Sequence, residues 1–100
     1  MEAKILLGKI LKTFKTAGHA QVPGYNQFTY LRETENMVVV GREKGKDTNV
    51  PFKKILIGIE AYQSDRSGYD KGPTWLRTYG LTHLTSPIFA LLHLLKKEEY

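Results

Sequence analysis

The apolar period along this chain changes twice, from 3.6 residues to two and back to 3.6. No architecture built from one element type accommodates that change. Over residues 2–17, Leu6, Leu7, Ile10, Leu11 and Phe14 recur at helical spacing. At about 100° per residue they share an arc of roughly 140°, while Lys4, Lys9, Lys12 and Lys15 take the opposite arc. Gly18 follows, at the position where a left-handed residue commonly ends a helix. Gln27 to Arg32 then alternates at period two, and Met37-Val38-Val39-Val40 is rich in β-branched residues. Glu33-Thr34-Glu35-Asn36 supplies the turn between them. Beyond Pro51, which suits the first turn of a helix, Phe52, Ile55, Leu56, Ile59 and Tyr62 restore the helical period.

This order predicts an α+β fold: an N-terminal helix, a small antiparallel sheet of two or three strands, then two or three helices packed on one face. A short third strand is expected within residues 47–50, because two strands alone are marginal. Residues 19–26 and 63–73 read as loops and 41–46 as a charged, flexible connection. A short helix is expected over residues 74–79, ended by Gly80. Ser86 as N-cap and Pro87 as first residue mark the last helix. Its apolar stripe is Ile88, Leu91, Leu92, Leu94 and Leu95, with Phe89, His93, Lys96 and Lys97 opposite. Residues 1–100 are expected to form a single compact domain.

Composition narrows the chemistry. The chain has no cysteine, which excludes a disulfide scaffold, a thiolate metal site and a Cys nucleophile. No apolar run approaches the roughly 20 residues of a membrane-spanning helix. Lysines interrupt the N-terminus where a secretory signal would be apolar. The expectation is therefore a cytoplasmic protein without a membrane partner.

The formal charge is +5, and its placement is uneven. Residues 1–54 hold ten Lys/Arg against five Asp/Glu, while residues 55–100 hold five of each. Within the first half, residues 1–16 and 42–54 each carry +3, and residues 17–41 carry −1. Phosphates attract such clusters through Coulomb energy and counterion release. Lys9, Lys12 and Lys15 on the first helix, Arg42, Lys44 and Lys46 after the hairpin, and Lys53 and Lys54 at the second helix form the candidate surface. Arg77 joins them further along. The reading is a non-enzymatic nucleic-acid-binding module, DNA or RNA, that grips backbone phosphates and requires no cofactor. Tyr69 and Trp75 are candidate stacking residues for unpaired bases. The order helix–strand–strand–strand–helix is similar to that of double-stranded-RNA-binding domains. The likeness is one of order alone, since the Gly-x-Gly and Ser-Lys-Lys cluster expected there is absent.

Two alternatives compete. Ile5, Ile57 and Phe89 project from otherwise polar helix faces, which suggests helices covered on both sides, either within the chain or by a second copy. Ile57 and Phe89 are thus candidate contacts for a homodimer or protein partner. The second alternative is a small metal-dependent nuclease using Asp65, Asp70 or Glu60. No catalytic or metal-ligating residue stands out, because His19, His83 and His93 lack ligand spacing. His93 reads as a surface residue on the polar face of its helix.

Overall fold

A computed structural model describes residues 1–100. Helix α1 spans Ala3–Ala17 and buries Leu6, Ile10 and Phe14, one residue per turn along a single face. Burying each such side chain is worth about 2 kcal/mol. Gly18 ends the helix at φ +84°, and its N–H donates to the Phe14 carbonyl at 2.8 Å. This is the cap expected from the sequence.

The sheet has four antiparallel strands in the order β1-β2-β3-β4: His19–Ala20, Phe28–Glu33, Met37–Arg42 and Thr48–Pro51. The class is α+β as expected, with more strands than the two or three predicted. The unexpected strand is β1, which at two residues is too short to carry a period. It pairs His19 with Thr29 and Ala20 with Phe28. Register shifts between Tyr30 and Arg32 through a bulge at Leu31. The bulge keeps Tyr30 on the core side, edge-on to Phe14 with ring centroids 5.4 Å apart. Leu31 lies on the other side over Gly41, where an added Cβ would stand 3.7 Å from both of its methyls.

Pro51 is the last residue of β4 and the N-cap of α2, not the first helical residue. Its backbone is extended, and a proline is tolerated on this edge strand because its nitrogen has no ladder bond to make. Helix α2 spans Phe52–Ser64 and buries Ile55, Ile59 and Tyr62. It runs antiparallel to α1, since Gln63 near its end donates Nε2–H to the Met1 carbonyl.

The segment read as an irregular loop is ordered around aromatic rings. After α2 come two 3-10 segments, Arg66–Asp70 and Pro73–Tyr79, the second ended by Gly80 as expected. Tyr62 is the hub: its ring lies 5.3–5.8 Å from those of Tyr69, Trp75, His93 and Tyr100.

Helix α3 spans Thr85–Leu92, and its N-cap is Leu84 rather than Ser86. Ser86 makes no capping bond and Pro87 sits inside the first turn. The reason is burial: every residue from Pro87 to Leu92 is buried, so packing fixes where the helix begins. The helix therefore has no polar face, and Phe89 is buried against Tyr25. His93 is also part-buried, its two ring nitrogens each 2.9 Å from a carbonyl oxygen, of Phe89 and of Tyr69. Ile5 and Ile57, by contrast, do remain exposed, at 50% and 38%. One core cluster runs from Leu6 to Tyr100. No helix is long and apolar enough to cross a membrane.

Candidate nucleic-acid interface

Strand alternation determines where the cations go. Val38 and Val40 of β3 enter the core, so Arg42 continues on the same side at the strand's end. There its Nε–H donates to Thr48 Oγ1 at 2.7 Å, and its guanidinium carbon lies 5.5 Å from the Phe28 ring centroid. The terminal nitrogens of Arg42 have no partner in the protein, and no carboxylate pairs with it. Glu43, its neighbour, lines the same cavity and accepts the Gln27 backbone N–H at 2.9 Å, more than salt-bridge distance from Arg42. Gly45 sits at φ +103° and closes the β3–β4 turn, a conformation that L side chains rarely adopt.

Arg42 and Lys44 together line a cavity of about 170 Å³ with Asn26, Phe28 and Glu43. An adjoining pocket of about 150 Å³ shares Asn26 and Phe28, and adds Tyr25, Ser86 and Phe89. The two meet where the loop before β2, the β3–β4 turn and the start of α3 come together.

Lys53 and Lys54 lie elsewhere. β4 runs from Thr48 to Pro51 away from the β3–β4 turn, about 10 Å at 3.3 Å per residue step. The start of α2 then sits beside the β2–β3 turn, where Phe52 N–H donates to the Asn36 carbonyl. So Arg42 and Lys44 come together, while Lys53 and Lys54 form a second group at the other end of β4. Lys12 is on the solvent side of α1 with Thr13 and Thr16, and Lys15 is in its last turn. Lys9 is committed to Glu99 at 2.8 Å, a bond that holds the Glu99 carboxyl below the usual range. Lys12, Lys15, Arg42, Lys44, Lys46, Lys53, Lys54 and Arg77 have no carboxylate within salt-bridge distance.

The aromatic residues singled out in the sequence serve packing. Tyr69 donates its hydroxyl to the Leu95 carbonyl at 2.7 Å and lies against His93, with ring centroids 4.0 Å apart. Trp75 packs between Tyr62 and Tyr79, at 5.8 Å and 5.0 Å. Both are partly buried against the core. The exposed aromatic residue in the pocket adjoining the cationic cavity is Tyr25, 45% exposed and not anticipated. Its signal was a tyrosine directly after the Pro23-Gly24 turn.

The acidic candidates are also occupied. Asp65 caps the first 3-10 segment, accepting from Ser67 N–H and Oγ–H, and these bonds hold its carboxyl below the ordinary range. Asp70 pairs with Lys97. Glu60 is exposed on α2, and no three His, Asp or Glu side chains converge as a metal-holding group. Comparison with known protein families, curated proteins and solved structures gives no match to this chain.

Proposed function

We propose that the protein is a non-enzymatic nucleic-acid-binding module, with the Arg42–Lys44 cavity as its principal phosphate contact. The observation that carries this reading is the state of Arg42: held by Thr48 and Phe28, with its terminal nitrogens unpaired. A guanidinium fixed in advance loses less rotamer freedom when it meets a phosphate. Lys46 adds to the same end, and Lys53 and Lys54 provide a second group beyond the far end of β4. Such contacts position the protein without reading sequence. The cytoplasm, where nucleic acid and a cysteine-free chain are both at home, is the location that goes with this function.

The test is binding to duplex DNA, duplex RNA and single strands across a salt series. Arg42→Ala should weaken binding and flatten the slope of log K against log salt by about 0.9 for duplex DNA, one phosphate's worth. Lys53→Glu with Lys54→Glu should weaken it further, and Lys9→Ala should change little because Lys9 already has a partner. An Arg42→Ala protein with unchanged affinity and slope would reject the site.

A self-associating module is the second reading, favoured by the exposure of Ile5 and Ile57 on neighbouring antiparallel helices. It predicts a concentration-dependent dimer in sedimentation that Ile57→Ser reduces to monomer. A monomer at every concentration rules it out. Phe89 has no part in it, being buried.

A further inference from the structure

The two adjoining cavities differ in chemistry. One is net cationic, with Arg42 and Lys44 against the single carboxylate of Glu43, which is engaged by the Gln27 N–H; the other is aromatic, with Tyr25 and Phe89; Asn26 and Phe28 belong to both. A nucleotide has the same two halves, an anionic phosphate and a flat aromatic base. We infer that this double cavity takes one unpaired nucleotide of a bound strand, phosphate on Arg42 and Lys44 and base against Tyr25. The inference rests on the nucleic-acid reading above and narrows it to strands that carry a bulged, terminal or extruded base.

Tyr25 is built for such a contact. Its backbone is pinned at both ends: the N–H donates to the Val22 carbonyl at 2.9 Å, and the carbonyl accepts from Gln21 Nε2 at 2.9 Å. One side of the ring rests on Phe89, centroids 5.1 Å apart at 66°. Its hydroxyl end lies beside Gly72, where an added Cβ would stand 3.3 Å away. Held on these sides, the residue still exposes 45% of its surface. A ring fixed in place and open to solvent accepts a base with little loss of side-chain entropy. Any base has a π-face, so the stack selects an unpaired base without selecting which one. The amide of Asn26, at the junction, offers both a donor and an acceptor to a base edge. The Ser86 hydroxyl on the pocket wall adds a group that can do either. A fully stacked duplex hides its base faces and can use only the cationic half.

The experiment compares two duplexes of equal length, one fully paired and one with a single bulged 2-aminopurine. The bulged duplex should bind about tenfold tighter, with a change in 2-aminopurine emission on binding. Tyr25→Ala should remove that preference and leave affinity for the paired duplex unchanged, whereas Arg42→Ala should weaken both. Tyr25 covers one side of Phe89 but is itself 45% exposed, so its variant is expected to fold with some loss of stability, as circular dichroism would verify. Equal affinity for the two duplexes, or a preference that survives Tyr25→Ala, overturns the nucleotide pocket and leaves the phosphate surface standing. Failure to bind either duplex in a salt-dependent way overturns the phosphate surface and the pocket with it.

Discussion

Tyr62→Ala should cost about 4 kcal/mol of folding stability, whereas Tyr62→Phe should cost nothing measurable. Tyr62 has no exposed surface, and four aromatic rings surround it within 6 Å. Removing the ring opens a cavity that Tyr69, Trp75, His93 and Tyr100 are too tied down to fill. Tyr69 and Tyr100 are fixed through their hydroxyls to the Leu95 and Leu92 carbonyls, and the His93 ring sits between the Phe89 and Tyr69 carbonyls with a nitrogen 2.9 Å from each. The Tyr62 hydroxyl, in contrast, is buried without a hydrogen-bond partner. Burial, reinforced by Tyr69 and Asp70 nearby, pushes that phenol far above its ordinary pKa. Deleting an unsatisfied hydroxyl removes a desolvation cost of about 1 kcal/mol or more, so Phe is tolerated or mildly stabilising. Domains of this size have about 5–15 kcal/mol in total, and each kcal/mol shifts Tm by about 4–8 °C. The alanine variant should therefore melt roughly 15–30 °C lower. A Tyr62→Phe protein that loses more than about 1 kcal/mol would show that the hydroxyl has a partner after all.

The second large effect is expected at Gly68. A Cβ there would stand 2.3 Å from two atoms of the Trp75 ring and 2.5 Å from a third. The ring cannot retreat, because Tyr62 and Tyr79 hold it on other sides. Gly68→Ala should therefore destabilise by about 3 kcal/mol, the upper part of the overpacking range. Gly58 makes the contrast. Its added Cβ would meet Leu92 Cδ1 at 3.0 Å and Ile88 Cγ2 at 3.1 Å, methyl groups that need give by only a few tenths of an ångström. Gly58→Ala should accordingly cost about 1 kcal/mol or less, offset in part by the better helix propensity of alanine. Since Trp75 is the only tryptophan, its fluorescence reports the packing at Gly68 directly. Equal stability of Gly68→Ala and wild type, with unchanged emission, would refute this close approach.

What the residues revealed in advance followed the strength of the local signal. α1, its Gly18 cap, the β2–β3 hairpin and the core stripe of α2 all follow from periodicity, and all are present. β1 escaped because two residues have no period. The Ser86-Pro87 start of the last helix was a sound local signal that burial overrode, so Leu84 became the cap. Phe89 and His93 were assigned to a polar face that α3 does not have. Tyr69 and Trp75 lie in a Gly- and Pro-rich stretch where no period says which way a ring points. The positive charges themselves were plain in the sequence. Their division was not, because it depends on strand direction: β4 returns across the sheet and separates Lys53 and Lys54 from Arg42 and Lys44. Tyr25 became visible as a site residue only once the loop before β2, the β3–β4 turn and α3 were seen to converge.

The ring of aromatics around Tyr62 also sets an order of events during synthesis. Tyr62 leaves the ribosome on α2 well before its neighbours at residues 69, 75, 93 and 100. The longest separation bridged is that of α1, where Lys9 meets Glu99 across 90 residues. Closing so long a span is entropically costly and slows folding relative to chains rich in local contacts. During that interval the apolar faces of α1 and α2 have only each other and the sheet for cover.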